Sequence, residues 1–302
     1  MSAATPMYAS TASARLEGHF ARHRKGEGGT ARKTLVAYLC VGDPSLEESL
    51  ELARACIRAG ADILELGVPF SDPTADGPAI ARASQRAIAR GGGFEATLRV
   101  ARALRDGTRL GSREPSAHHE PSDVPLVLFG YYNPIFVRGD ARAVREAHDA
   151  GIDGLLIVDL PLEEGRELRE AAAASGVAVV PLLAPTSQGA RIAALKASAA
   201  KWPAGFVYYV SVTGVTGSAD AKAAEAGTTA AKLRDELGLP VVVGFGIDSR
   251  EKARAAAVNA DGVVVGTALV RAIEQGANAE DRIARVTRLV AELREGVDAA
   301  AL

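Results

Sequence analysis

Ala59-Gly60-Ala61-Asp62-Ile63-Leu64-Glu65-Leu66-Gly67 is the stretch on which the fold turns. An amphipathic run rich in Ala, Arg and Glu stops at a glycine, and a short apolar run follows within two residues. The same grammar recurs at Ala150-Gly151-Ile152-Asp153 before Leu155-Leu156-Ile157-Val158. It recurs at Ser175-Gly176 before Val177 to Leu183, and at Asn259-Ala260-Asp261 before Val263-Val264-Val265. Each reads as a helix, a Gly or Asn stop and a strand buried on both faces, as strands of parallel sheets are.

Working outward, eight apolar runs emerge, near 35–41, 62–67, 125–130, 153–159, 177–183, 205–211, 240–244 and 261–265. Helical patterns follow them at 45–59, 78–104, 139–150, 163–175, 187–200, 220–237, 248–258 and 267–275, with a last one at about 280–297. Eight strands alternating with helices argue a closed parallel barrel, the (β/α)8 TIM barrel, in a single α/β domain. Periodicity alone does not show closure, so a doubly wound open sheet is the alternative.

Composition sets the bounds. The chain has 302 residues, 48% hydrophobic and 24% charged, enough to bury a large core. Lys+Arg 35 against Asp+Glu 37 leaves a net charge of -2 and no basic half, which argues against a nucleic-acid surface. No apolar stretch approaches the roughly 20 residues that span a bilayer. Two cysteines, Cys40 and Cys56, make no disulfide framework and read as small core residues in a reducing, cytoplasmic setting. Residues 1–14 read as a flexible Ser/Ala-rich tail and 15–302 as the barrel. The polar segment Gly107–Asp123, with His118-His119 and two prolines, reads as a surface insertion on the N-terminal face.

Barrel enzymes carry their chemistry on the loops after the strands' C-terminal ends. The lysines and histidines of this chain avoid those positions, which argues against a Schiff-base aldolase and against a His-based metal site. Carboxylates remain. Glu65 interrupts an apolar strand, and Asp76 lies in Gly67-Val68-Pro69-Phe70-Ser71-Asp72-Pro73-Thr74-Ala75-Asp76-Gly77-Pro78, whose prolines restrain the loop. The plain alternative makes Glu65 a paired interior carboxylate and Asp76 a turn or cap residue. Burying a carboxylate is costly, however, and such groups gather at functional sites. Gly244-Phe245-Gly246 after the seventh run and Gly266-Thr267-Ala268 after the eighth suit a phosphate held on backbone N–H groups. Simple turn glycines are the competing reading. Thr213-Gly214-Val215-Thr216-Gly217 reads as a flexible lid.

Leu64 through Pro78 closely resembles the signature of tryptophan synthase α subunits. The resemblance runs on through Val41-Gly42-Asp43-Pro44, Tyr131-Tyr132-Asn133-Pro134, Asp159-Leu160-Pro161, Gly214-Val215-Thr216-Gly217 and Gly244-Phe245-Gly246, covering roughly residues 15 to 295. It implies a lyase that cleaves indole-3-glycerol phosphate by a retro-aldol route, without a cofactor or metal of its own. Glu65 matches the general acid/base and Asp76 the acid that steadies positive charge at the indole nitrogen. Tyr208 matches a tyrosine close to the glutamate, and only one of Tyr208 and Tyr209 can face the interior. Gly217, Gly246, Gly266 and Thr267 match the phosphate cradle; Ile80, Phe129 and Phe245 are expected along the indole pocket. The implied partner is a pyridoxal-phosphate-dependent β subunit in an α2β2 complex, meeting the rim loops at 69–78, 131–136, 159–162 and 212–220. Val212-Thr213 stands where many relatives carry Arg-Ala, and the 107–123 segment and N-terminal tail are longer than usual. A free-standing indole-3-glycerol phosphate lyase and a catalytically weak scaffold that activates the β subunit are the other readings.

Overall fold

The computed structural model describes residues 14–25, 32–112, 114, 119–210, 219–244 and 246–301. Its elements run α1 (Ala14–Lys25), β1 (Thr34–Cys40), α2 (Leu46–Arg58), β2 (Ile63–Gly67), α3 (Pro78–Ile88), α4 (Phe94–Asp106) and β3 (Leu126–Gly130). There follow α5 (Asn133–Arg138), α6 (Asp140–Asp149), β4 (Gly154–Ile157), α7 (Arg166–Ala174), β5 (Ala178–Val179), β6 (Leu182–Leu183) and α8 (Ala190–Ala199). The chain ends with β7 (Val207–Val210), α9 (Ala219–Leu237), β8 (Val241–Gly244), α10 (Arg250–Ala257), β9 (Gly262–Val265), α11 (Thr267–Glu274) and α12 (Ala279–Asp298).

All strand pairs are parallel, in the order β5-β4-β3-β2-β1-β9-β8-β7-β6. The expected fifth strand, 177–183, is present as two pieces split at Val180-Pro181. β5 pairs with β4 and β6 with β7, so the ring closes through this broken strand. Proline has no N–H to give a ladder, which is why the run breaks there. Pro181 still accepts from Tyr208 N–H at 2.9 Å, on the β7 side of the closure.

The Gly-x-Asp and Asn-x-Asp stops do more than end helices. Asp62 Oδ2 accepts from Leu35 N–H, Asp153 Oδ2 from Leu126 N–H and Asp261 Oδ2 from Val241 N–H, each at 2.8 Å. Each aspartate thus ties the start of its own strand to the start of a neighbour. Arg294 holds Asp62 at 2.6 Å, and Asp153 is shared by Arg105 and Arg15. These stitches line the N-terminal mouth. A carboxylate accepting from both backbone and guanidinium is well satisfied despite its burial.

Inside the ring, alternation sorts the strand residues into layers. Val36, Ile63, Val127, Leu156, Val180, Phe206, Val242 and Val264 form one apolar cluster. Leu16 and Phe20 of α1 join it, so α1 plugs the N-terminal mouth; Phe20 meets Phe206 with ring centroids 5.5 Å apart. The sequence reading had not marked this helix. His19 sits at 3.0 Å from the Thr34 hydroxyl, and burial drives its pKa down to about 3, so it stays neutral.

Two further departures have local causes. The helix expected over 78–104 is two helices, α3 and α4, parted at Gly91-Gly92-Gly93. Gly91 has φ +82, and a Cβ on Gly92 would stand 2.8 Å from Ala87 O, so the chain turns where only glycine fits. The 107–123 segment is anchored where it is described. Arg54 donates to Thr108 O at 2.7 Å, and Arg105 Nη1 to Ser122 O and Val124 O at 2.7 Å each. Among the described residues no helix is long and apolar enough to cross a membrane.

Candidate active site

Two residues beyond the apolar layer, the inward positions become Tyr38, Glu65, Phe129, Val158, Leu182, Tyr208, Gly244 and Gly266. Glu65 therefore stands inside the barrel, one layer toward the C-terminal mouth. It pairs in register with Tyr38 on β1 and Val127 on β3. It is 1% exposed, and neither carboxylate oxygen has a hydrogen-bond partner among the described residues. Burial without compensation pushes its pKa up to about 8, so the group holds its proton at neutral pH.

Around Glu65 lies a cavity of about 310 Å³. Tyr38, Phe129, Tyr208 and Ile80 wall it, Gly246 reaches it from the loop after β8, and Gly266, Thr267 and Ala268 reach it from the cap and start of α11 after β9. Tyr38 and Phe129 meet edge to face at 5.1 Å. Tyr208 faces inward while Tyr209 belongs to the core outside the ring, as strand alternation requires. Burial first, then the Glu65 charge, holds the Tyr208 phenol well above its ordinary value, so it is a hydrogen-bond donor at neutral pH. Two glycines make room for the phenols: a Cβ on Gly67 would lie 2.5 Å from the Tyr38 hydroxyl, and one on Gly244 2.5 Å from that of Tyr208.

Asp76 stands at the edge and does not line this cavity. It lies in the loop between β2 and α3, half-buried, and its pKa rises to about 6 through burial, held back by a hydrogen bond from Tyr131. Tyr131, itself buried, pins that loop: Ala75 N–H donates to its hydroxyl oxygen at 2.9 Å, and Phe70 stacks on its ring at 5.0 Å. The loop is thus held to the end of β3 by one aromatic side chain.

The N-terminus of α11 faces the same cavity. Gly266 caps it with no side-chain hydrogen bond, leaving the first backbone N–H groups free to meet an anion. Arg271, on the second turn, is also in the lining.

The structure therefore brings Glu65, Tyr208, Ile80, Phe129, Gly246, Gly266 and Thr267 to one cavity. Gly217, Phe245 and the Val212–Gly217 lid lie outside the described residues. Sequence reasoning missed Tyr38, whose signal was its place two residues beyond Val36 in the first apolar run. It also missed the holding role of Tyr131 and the cavity position of Arg271. Both cysteines are buried and free, with thiols pushed up to about 12 by burial, as core residues rather than nucleophiles.

Comparison with known proteins gives a consistent result. The family model described as tryptophan synthase alpha chain matches residues 25–300. The tryptophan synthase alpha chain of Citrifermentans bemidjiense is 45% identical over 265 residues, 88% of this chain and 92% of its own. That of Geotalea daltonii is 42% identical over 285 residues, 94% of this chain and 99% of its own. Among solved structures, the tryptophan synthase subunit alpha of Legionella pneumophila superposes with a TM-score of 0.79 at 30% identity, covering 94% of this chain and 98% of that one. A chain of Mycobacterium tuberculosis tryptophan synthase gives a TM-score of 0.74 at 32% identity, with the same shares covered.

Proposed function

The chain belongs to the tryptophan synthase alpha chain family, a lyase with the α-subunit role in tryptophan biosynthesis, and we propose that Glu65 and Asp76 carry its chemistry. The reaction is the retro-aldol cleavage of indole-3-glycerol phosphate to indole and glyceraldehyde 3-phosphate. The observation that supports the assignment is Glu65, a carboxylic acid buried without a partner in an aromatic-walled cavity that a helix N-terminus also reaches.

In this reading the substrate phosphate lies on the free N–H groups at Gly266, Thr267 and Ala268, with Gly246 beside them. The indole ring lies against Phe129 and Ile80. Glu65, protonated at neutral pH, delivers its proton to C3 of the indole, and positive charge develops at the ring nitrogen. Asp76, largely ionised at pH 7, accepts the hydrogen bond of that N–H. The Glu65 carboxylate then takes the proton of the hydroxyl on the carbon attached to C3. The C–C bond breaks, its electron pair restores the indole ring, and the aldehyde leaves with the phosphate. Glu65 ends as it began, protonated. Ring protonation supplies the electron sink, so the route calls on no cofactor held by this chain. Tyr208 and Tyr38 flank the acid and keep it desolvated.

The partner is a β subunit carrying pyridoxal phosphate, in an α2β2 assembly. Phe136 and Val137 on α5, 66% and 76% exposed, give the rim of the C-terminal mouth an apolar contact point for it. Two free buried cysteines suit a reducing cytoplasm.

The test is indole release from indole-3-glycerol phosphate, by the chain alone and with a β subunit added. Slow release strongly accelerated by the partner is expected. Fast release alone marks a free-standing lyase, and none under either condition removes the assignment. Glu65→Gln is expected to lower turnover by about 10²–10⁴-fold with the fold and partner binding intact.

A further inference from the structure

At the broken strand, opening toward α7 and α8, lies a second cavity of about 260 Å³. It exists because the helical layer opens there: α7 packs chiefly on α6, and α8 on α9. Leu160, Leu162, Leu183, Leu195 and Trp202 are its apolar walls. One cation reaches in from the first turn of α7. Arg169 is 9% exposed, its guanidinium lies over the Trp202 ring at 5.4 Å, and one of its N–H groups donates to Leu162 O. Its Nε is buried without any hydrogen-bond partner among the described residues. The one carboxylate in the lining, Asp159, is engaged elsewhere, accepting from Tyr132 N–H at 2.8 Å. Glu163, exposed beside it, acts on Arg169 only through space.

A buried guanidinium with a free donor in an apolar chamber is costly by itself. It is matched by a carboxylate carried on an apolar body. We infer that the cavity between α7 and α8 is a binding site for a small aromatic or branched-chain carboxylate, whose anion pairs with Arg169 while its apolar part stacks against Trp202. The site and the Glu65 cavity share no lining residue. Arg191, exposed on α8, stands at its mouth and adds a second positive charge to the approach.

Trp202 is the only tryptophan in the chain, so its fluorescence reports this site and not the Glu65 cavity. The experiment titrates the full chain with 3-phenylpropionate, which carries no indole, and with 3-phenylpropionamide as the uncharged match. A saturable change in Trp202 emission is expected, with the acid binding at least about tenfold more tightly than the amide. Equal binding of the two, or no saturable change, overturns the proposal. Arg169→Met keeps the stem and is expected to erase the preference for the acid. Ala199→Leu narrows the chamber from the end of α8 and is expected to abolish binding of both probes while indole release continues at the parent rate. Acid binding retained in Ala199→Leu places the probe elsewhere and also overturns it. The comparison of acid with amide on the unmodified chain stands whether or not either variant folds.

Discussion

Glu65 has no neighbour that favours its ionised form, and this has a measurable price. Its pKa is about 8 in the folded chain against an ordinary 4.5. Between those values the folded chain keeps a proton that the unfolded chain has released, so stability falls as pH rises through that window. Glu65→Gln removes the dependence. At about pH 8 the variant is expected to be more stable, on the order of 4 kcal/mol, while at about pH 4 the two converge. Urea unfolding at the two pH values checks this; parallel behaviour of parent and variant across the window would contradict the raised pKa. Burial raises the Asp76 pKa to about 6, and the hydrogen bond donated by the Tyr131 hydroxyl holds that rise back. Tyr131→Phe takes that donor away and leaves burial to act alone, so the Asp76 pKa rises. The acidic limb of the kcat/KM profile is then expected to move to higher pH with the alkaline limb unchanged. A uniform drop at all pH values would instead mean that Tyr131 matters only for holding the loop. Gly244→Ala puts a methyl against the Tyr208 hydroxyl, and is expected to cut kcat by about tenfold or more in a chain that still folds, as circular dichroism and single-turnover kinetics would show.

Among the elements, the aspartates at the strand starts carry stability rather than chemistry. Asp153 is 4% exposed and satisfies the Leu126 N–H together with two arginines. Asp153→Ala leaves the buried Arg105 without its carboxylate and the Leu126 backbone donor orphaned. A loss of about 3 kcal/mol in chemical denaturation is expected, with turnover of the surviving folded protein unchanged. These stitches were half legible. The Gly-x-Asp or Asn-x-Asp pattern announces each of these helix stops and strand starts, but no periodicity says that the aspartate reaches sideways to a neighbouring strand. The strands themselves were legible because parallel strands buried on both faces leave continuous apolar runs, and Glu65 was legible because it breaks one. Tyr38 was not, because an aromatic in such a run looks like any core residue until the register sets it beside Glu65. The split at Gly91-Gly92-Gly93 and the break at Pro181 were written in the sequence as helix and ladder breakers. Pro181 lies inside a continuous apolar run, and the three glycines lie between two amphipathic patterns of the same period, so neither break interrupts the apolar reading at large. Helix α1 lay beside a polar tail, and only the apolar faces of Leu16 and Phe20 mark it as the plug.

For the whole molecule, the two mouths of the barrel divide the work: charged stitches and a plug at one, an unpaired acid and open backbone donors at the other. The ring joining them closes on β5 and β6, each two residues long. Amides of 178–183 are expected to exchange with solvent deuterium faster than those of β1 and β2, since fewer ladder bonds hold them. Equal protection measured by hydrogen exchange would show that closure is as firm there as elsewhere. The same seam matters before the ring exists. As the chain is made, β1 to β5 leave the ribosome ahead of the strands that will cap them, and an open sheet of parallel strands waits with two free borders. A long border is a template on which another nascent chain can add itself. By ending the β5 border of that early sheet in a strand of two residues with a proline close behind, the sequence leaves a stranger little to grip on that side, and only the β1 border waits for the chain's own last strand.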